Sequence, residues 1–326
     1  MTPVEPEAVR AAAATLAGVA HRTPVFTSRT LDHRVGGSLC LKGEHLQRTG
    51  SFKFRGAWNA LSSLSAEERA RGVLTYSSGN HAAALACAGR ELGVRVVVAL
   101  PTNALPLKRD AVVGYGAEIV PCDPNEREEV GRRVAQERGL IVIPPYDHEA
   151  IIAGQGTAAL ELLREVGDLD LVMTPVGGGG LLAGSALAAE LHAREGGARA
   201  RVFGVEPAIA DDAHRSMHAG HIVRLETTPD TIADGLRTRY LGERNFAVIH
   251  RHVEDIVTVT EAEILDAVRW LWLRMKLLVE PSGAVPLAAV LAGKFDLRGR
   301  RAGLILSGGN ADPTALAPLL HSMPLP

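Results

Sequence analysis

The sequence predicts an α/β protein in which parallel strands alternate with helices. Short apolar runs at 72–76, 94–100, 117–121 and 140–143 are each separated by stretches of helical periodicity, and a second set stands at 169–176, 200–205, 256–259 and 302–306. Parallel neighbours need a crossover between them, usually a helix, so this alternation implies doubly wound sheets. With 326 residues, 46% of them hydrophobic, the chain can bury a large core, divided over two lobes. No repeat of solenoid length and no low-complexity linker interrupts it.

Taken in order, residues 5–20 form an alanine-rich helical pattern. Its acids and Arg10 argue against a secretory signal. Next comes Thr49-Gly50-Ser51-Phe52-Lys53-Phe54-Arg55-Gly56-Ala57, a tight turn that opens a helix over 54–64. Among 35 basic residues only Lys42, Lys53, Lys108, Lys276 and Lys294 are lysines. Arginine stays protonated, whereas a desolvated lysine can act as a nucleophile. A helix N-terminus lowers the pKa of an amine further. Taken alone, Lys53 reads as an ordinary surface lysine; three further segments change that.

The run at 72–76 leads into Ser77-Ser78-Gly79-Asn80-His81 and then a helical stretch at 82–92. An N-cap needs one polar side chain, and here four stand together, which suits a loop that surrounds a carboxylate with donors. The run at 169–176 leads into Gly177-Gly178-Gly179-Gly180-Leu181, followed by a helical pattern to residue 192. Strand, glycine loop and helix start make a phosphate cup, because glycines let backbone N–H groups turn inward and the helix dipole favours an anion. No Lys-Ser/Thr follows, so the loop is not that of a nucleoside triphosphatase. The run at 302–306 ends in Ser307-Gly308-Gly309-Asn310, where a hydroxyl beside two glycines admits a flat ring. Between these, Glu206 and Asp212 lie six apart with backbone carbonyls between them, an oxygen-rich stretch suited to a hard divalent cation. The alternative is that Asp211 or Asp212 caps the helix that follows.

A formal net charge of -2 with interspersed signs excludes nucleic acid or an anionic membrane surface as the main partner. Cys40, Cys87 and Cys122 are odd in number and widely spaced, as expected for reduced thiols in a cytoplasmic protein. No apolar run approaches the length of a membrane span.

Together these segments resemble the β-family (fold type II) of pyridoxal-phosphate enzymes, to which the tryptophan synthase β-subunit belongs, and within it serine racemase and the threonine/serine dehydratases. The likeness runs from His21-Arg22-Thr23-Pro24 to Asn310-Ala311-Asp312. It includes Ala153-Gly154-Gln155-Gly156-Thr157, Val205-Glu206-Pro207, Ile232-Ala233-Asp234-Gly235 and Glu280-Pro281-Ser282-Gly283-Ala284. It implies two interleaved lobes, a small domain over 70–147 inserted into a large one formed by 1–69 and 148–326, and a homodimer. It also implies pyridoxal 5'-phosphate held as an aldimine by Lys53, with Phe52, Asn80, Gly177, Gly178, Gly179, Gly180, Leu181, Gly235, Glu280 and Ser307 around it. Ser77, Ser78, Asn80 and His81 would hold the substrate carboxylate. Glu206, Ala210 and Asp212 would bind Mg2+ or Ca2+, with Mn2+ a further candidate. Ser307 offers a neutral partner to the ring nitrogen, which makes the ring a weak electron sink suited to β-elimination.

The expected activity is an ammonia-lyase (dehydratase) converting L-serine or L-threonine to a 2-oxo acid and ammonia, with Lys53 as the base. Serine racemisation, with Ser78 on the opposite face, is the first alternative, and threo-3-hydroxyaspartate dehydration the second. A non-catalytic pyridoxal-phosphate-binding protein would not need the 77–81 loop. The short apolar tail after Asn310 is expected to carry no allosteric module. Ala82-Ala83 stands where the family has Gly-Gln, which sets aside nucleotide regulation of the animal racemase kind. Tyr146 adds bulk near the pocket. Arg127 reads as a solvent-facing helix residue among Glu126, Glu128 and Glu129; facing the substrate instead, it would favour 3-hydroxyaspartate.

Overall fold

A computed structural model describes residues 4–77 and 79–321. Among these residues ten strands form two sheets. The larger has β1 (Val25–Phe26), β2 (Ser38–Lys42), β7 (Leu171–Pro175), β8 (Arg201–Pro207), β9 (Asp255–Val259) and β10 (Arg301–Ile305), in the order β1-β2-β10-β7-β8-β9. The smaller has β3 (Val73–Tyr76), β4 (Val96–Pro101), β5 (Glu118–Cys122) and β6 (Ile141–Val142), in the order β5-β4-β3-β6. Each of these pairings is parallel except that of β1 with β2. The eight expected apolar runs form strands β3 to β10, with ends shifted by a few residues. Strands β1 and β2 are not among those runs: β1 is two residues long, and the apolar Leu39-Cys40-Leu41 of β2 is cut short by Lys42. β2 ends on Lys42, whose buried ammonium donates to the Thr23 carbonyl at 2.7 Å and pairs with Glu161 at 2.9 Å.

The helices Glu149–Val166 and Gly180–Arg194 cross in the core at Gly156 and Gly184. A Cβ on Gly156 would meet the Gly184 carbonyl oxygen at 2.4 Å, so the close approach requires glycine on both sides. Among the described residues no helix is long and apolar enough to cross a membrane.

The helix Lys53–Ser62 buries Phe54, Ala57, Ala60 and Leu61, and three contacts fix its start. Ser51 bridges Gly308, the Phe52 N–H donates to the Ser307 carbonyl at 3.0 Å, and the Gly309 N–H donates to the Gly50 carbonyl. The chain leaving β10 is thereby tied beside Lys53. Below, fully buried Arg55 forks onto Glu44 at 2.7 and 2.8 Å and onto Glu161 at 2.7 and 2.8 Å. Burial would push the Glu44 carboxyl up, but Arg55 overrides that and holds it below its ordinary value. Removing one partner from such a network typically costs about 3–5 kcal/mol, so the foundation under Lys53 is rigid.

Candidate active site

In open α/β sheets ligand sites form beyond the carboxyl ends of the strands. Here the segments after β3, β7 and β10 line one cavity. Ser77, Asn80 and His81 follow β3, the loop 177–181 follows β7, and Ser307 follows β10. Phe52, Lys53, Gly235 and Glu280 complete the set expected from sequence. Ser78 lies outside the described residues.

Two lysines face this space, and they differ in state. The Lys53 ammonium donates to the Pro145 carbonyl at 2.8 Å and has no acid within salt-bridge distance among the described residues. Burial lowers its pKa to about 8, against a weaker opposing pull from Glu280. Lys108 is also buried, which alone would lower its pKa, but Glu280 and Asp234 raise it above the ordinary value. Its ammonium sits 2.5 Å from Asp234 and 3.5 Å from Glu280. Lys53 can therefore shed a proton near neutrality, and Lys108 is a fixed cation. Lys108 is absent from the site residues expected from sequence; being one of only five lysines is the available signal.

The glycine loop is shaped by its surroundings. Gly179 has φ +93° and precedes the helix Gly180–Arg194, so N–H groups of the first turn face the cavity end. A Cβ at Gly178 would lie 2.3 Å from the Tyr146 ring, so Tyr146 covers the loop closely. The Gly178 carbonyl accepts from Asn245 at 2.6 Å and from the Gly242 N–H at 3.1 Å. The nearby Thr238 hydroxyl lines the cavity, is buried and has no partner. An orphaned hydroxyl beside turned-in backbone donors fits a phosphate group. Thr238 has no signature in sequence, since a single threonine in a loop carries no pattern.

The polar wall opposite is a chain of amides and acids. Asn80 donates to Glu280 at 2.6 Å and accepts from Asn310 at 3.0 Å, while Ser282 accepts from the Gly235 N–H at 2.9 Å. His81 is fully buried; its Nε2 faces the Ile143 carbonyl at 3.3 Å and its Nδ1 has no partner. Burial first, and Lys53 second, lower its pKa to about 3. The imidazole is thus neutral, with the carbonyl assigning its hydrogen to Nε2. Arg127, which reads from sequence as solvent-facing, instead lines the cavity from the first turn of the helix Arg127–Arg138. No ion pair to it is found among the described residues.

Glu206, Ala210 and Asp212 lie apart from this cavity. Glu206 stands near the end of β8 and accepts from the Ala213 and His214 N–H groups at 3.3 and 2.6 Å, so it caps the helix Asp212–Ala219 from outside. Asp211, at the N-cap position, makes no side-chain cap bond. Burial, and then Asp212, raise the Glu206 pKa well above its ordinary value. Burial raises Asp212 to about 7, and its Oδ2 has no partner. Two buried, mutually repelling carboxyls with an orphaned oxygen fit a hard divalent cation.

The geometry has counterparts among known proteins. The chain is 48% identical to the L-threo-3-hydroxyaspartate ammonia-lyase of Saccharomyces cerevisiae, over 92% of this chain and 91% of that one. It is 44% identical to the serine racemase of Schizosaccharomyces pombe, over 90% of each. The crystal structure of the threonine deaminase from T.th. superposes with a TM-score of 0.87 at 46% identity, covering 94% of this chain and 99% of that one. The family model described as Pyridoxal-phosphate dependent enzyme matches residues 16–308, nearly the whole chain. A lysine amine free to deprotonate, a built anion cradle and this match make the chain a member of the pyridoxal-phosphate dependent enzymes.

Proposed function

We propose that the protein is an ammonia-lyase that removes the elements of water from a small 3-hydroxy amino acid, releasing a 2-oxo acid and ammonia. The observation that carries this reading is Lys53 in the cavity with its ammonium on the Pro145 carbonyl and no ion-pair partner among the described residues, while neighbouring Lys108 is ion-paired to Asp234 and Glu280. When bound, pyridoxal phosphate supplies the electron sink that makes an amino acid's α-proton acidic. The residues suited to hold it are the loop 177–181 and Thr238 at the phosphate, Asn80 at the ring hydroxyl, Ser307 at the ring nitrogen and Phe52 beside the ring. Lys53 Nζ takes the α-proton, and the Pro145 carbonyl orients the amine. The β-hydroxyl leaves as water by taking up one proton, matching the α-proton that Lys53 removes. Hydrolysis of the released enamine by one water gives the 2-oxo acid and ammonia, with no change of oxidation state imposed on any protein group. The substrate carboxylate meets the donors of the 77–81 loop. His81 is neutral and its one hydrogen faces the Ile143 carbonyl, so it shapes that loop and does not itself donate to the carboxylate.

Within that class we assign 3-hydroxyaspartate ahead of serine and threonine. Arg127 brings a guanidinium without an ion-pair partner among the described residues to the cavity, a group that a second carboxylate would satisfy and a hydroxymethyl or hydroxyethyl side chain would not. The relatives named as hydroxyaspartate lyases support this order. A panel of serine, threonine and 3-hydroxyaspartate, read by 2-oxo acid release with chiral analysis of the residual amino acid, tests it. Arg127→Met is expected to raise KM for 3-hydroxyaspartate by about 10- to 100-fold, the loss of one charge-assisted contact, and to leave serine turnover close to wild type. A chain that turns over serine faster than 3-hydroxyaspartate, and is unaffected by Arg127→Met, would return the assignment to a serine/threonine dehydratase.

The same reading takes 70–147 as a small domain set into 1–69 and 148–326, supported by confinement of β3 to β6 to that segment. It takes Glu206, Ala210 and Asp212 as a Mg2+ or Ca2+ site, and the assembly as a cytoplasmic homodimer.

A further inference from the structure

We propose a second cation site, built from His214, His218 and Asp255, that takes a divalent transition metal of the zinc type and staples the helix Asp212–Ala219 to β9. His214 and His218 are four apart on that helix and so share a face, their rings 4.3 Å apart at the centroids. Asp255 opens β9 alongside them. One ligand atom from each of the three residues lies within 4.8 Å of the others, and His218 Nε2 stands 3.6 Å from Asp255 Oδ1. Ligand atoms on a tetrahedral zinc with bonds near 2.0–2.1 Å stand about 3.3 Å apart. The last pair is therefore nearly in place, and the remaining separations, which lie within 4.8 Å, close by up to about 1.5 Å through movement of half-buried His214 and exposed His218.

The hydrogen bonds prepare both rings for coordination. His214 Nδ1 is 2.6 Å from the Ile256 carbonyl, and His218 Nδ1 is 2.8 Å from the His214 carbonyl. A carbonyl only accepts, so each Nδ1 carries a hydrogen and Nε2 is the nitrogen left to face a metal. That is the arrangement in which metal-binding histidines are held, their second nitrogen anchored to a backbone oxygen. Asp255 Oδ1 is steadied in turn by the Ile256 N–H at 2.7 Å.

The donor set decides the metal. Two imidazoles and one carboxylate suit zinc, nickel or copper, whereas magnesium and calcium select oxygen. The oxygen-only pair Glu206 and Asp212 adjoins the same helix, joined to this site through the His214 N–H that Glu206 accepts. One short helix would thus carry a hard-cation site at its start and a borderline-cation site on its outer face. The side chains of His218 and Asp255 are 54% and 42% exposed, which gives an ion a route in and leaves room for water to complete the coordination. Neither histidine lines the catalytic cavity, so the staple acts on stability.

Zinc titrated into the metal-stripped holoenzyme should bind at one equivalent per chain beyond any Mg2+ site. At about a hundred times its Kd it should raise the melting temperature by about 4 °C, by mass action on the folded state. Mg2+ should not reproduce a shift that depends on His218. His218→Ala, a change at a half-exposed side chain, should abolish the zinc shift, and Asp255→Asn should weaken it. Asp212→Ala should keep it. The visible band of bound Co2+ should likewise vanish in His218→Ala and persist in Asp212→Ala. An undiminished zinc shift in both His218→Ala and Asp255→Asn, or its loss in Asp212→Ala with retention in His218→Ala, would overturn the proposal.

Discussion

Replacing the nucleophilic amine should make the cofactor-free protein more stable, not less. The gap between the ordinary lysine value of 10.5 and about 8 for Lys53 corresponds to about 3 kcal/mol. Water reaching the amine through the cavity mouth trims this to about 2 kcal/mol. The sign follows from linkage. Between pH 8 and 10.5 the unfolded chain holds a proton that the folded chain has released, so stability rises with pH across that window. Below pH 8 the folded state bears the whole penalty. Lys53→Met keeps the length of the side chain and removes the charge, but strands the Pro145 carbonyl at a cost of about 1 kcal/mol. The net expectation at pH 7 is a gain of about 1 kcal/mol. At pH 10.5 it should become a loss of about the same size, because the penalty in the wild type has gone. Denaturant unfolding of both cofactor-free proteins at the two pH values measures the difference, and titrations of other groups cancel between them. Lys108→Met should behave oppositely, losing about 3–5 kcal/mol at pH 7 by leaving Asp234 and Glu280 unpaired. A Lys53→Met protein that is less stable than wild type by the same amount at both pH values would refute the reasoning about burial.

The other expectations are narrower. Ser307→Asp should keep the ring nitrogen of bound pyridoxal phosphate protonated and slow elimination relative to α-proton exchange; an unchanged ratio by deuterium uptake would remove the weak-sink argument. A chelator should lower the melting temperature by several degrees in Mg2+-loaded protein, and Asp212→Ala should blunt the Mg2+ response; identical melting in all three states would leave Glu206 as a helix cap and nothing more. Ser78→Ala should abolish any D-serine formed from L-serine while sparing elimination from the L-isomer, as seen by chiral chromatography. Racemisation that survives the change would move the second base elsewhere.

What can be read in the sequence, and what cannot, separates along physical lines. Most of strands β3 to β10 are legible because parallel strands covered on both faces read as unbroken apolar runs. The burial of Lys42 and Arg55 is hidden for the opposite reason. Each is a buried charge neutralised by acids distant in sequence, Glu161 for both and Glu44 for Arg55, and pairing over such separations leaves no local pattern. Glu206 shows the same limit, capping a helix from the end of a strand where sequence points to Asp211 or Asp212. Arg127 misleads because charged neighbours argue for solvent, and only the fold turns one face of that helix toward the cavity.

The motifs come together for a simpler reason. The 77–81 loop, the glycine loop and Ser307 each follow closely on a strand, and parallel strands carry their following loops to one edge of the sheet. Chemistry written just after a strand is therefore gathered by topology alone. Lys53 follows no strand so directly. It reaches the same edge because Ser51 and Phe52 are tied to Gly308 and Ser307, so the residue most informative in sequence depends most on a contact that sequence does not display. Loosening that bridge should displace the amine without disturbing the cup, which separates loss of proton transfer from loss of phosphate binding.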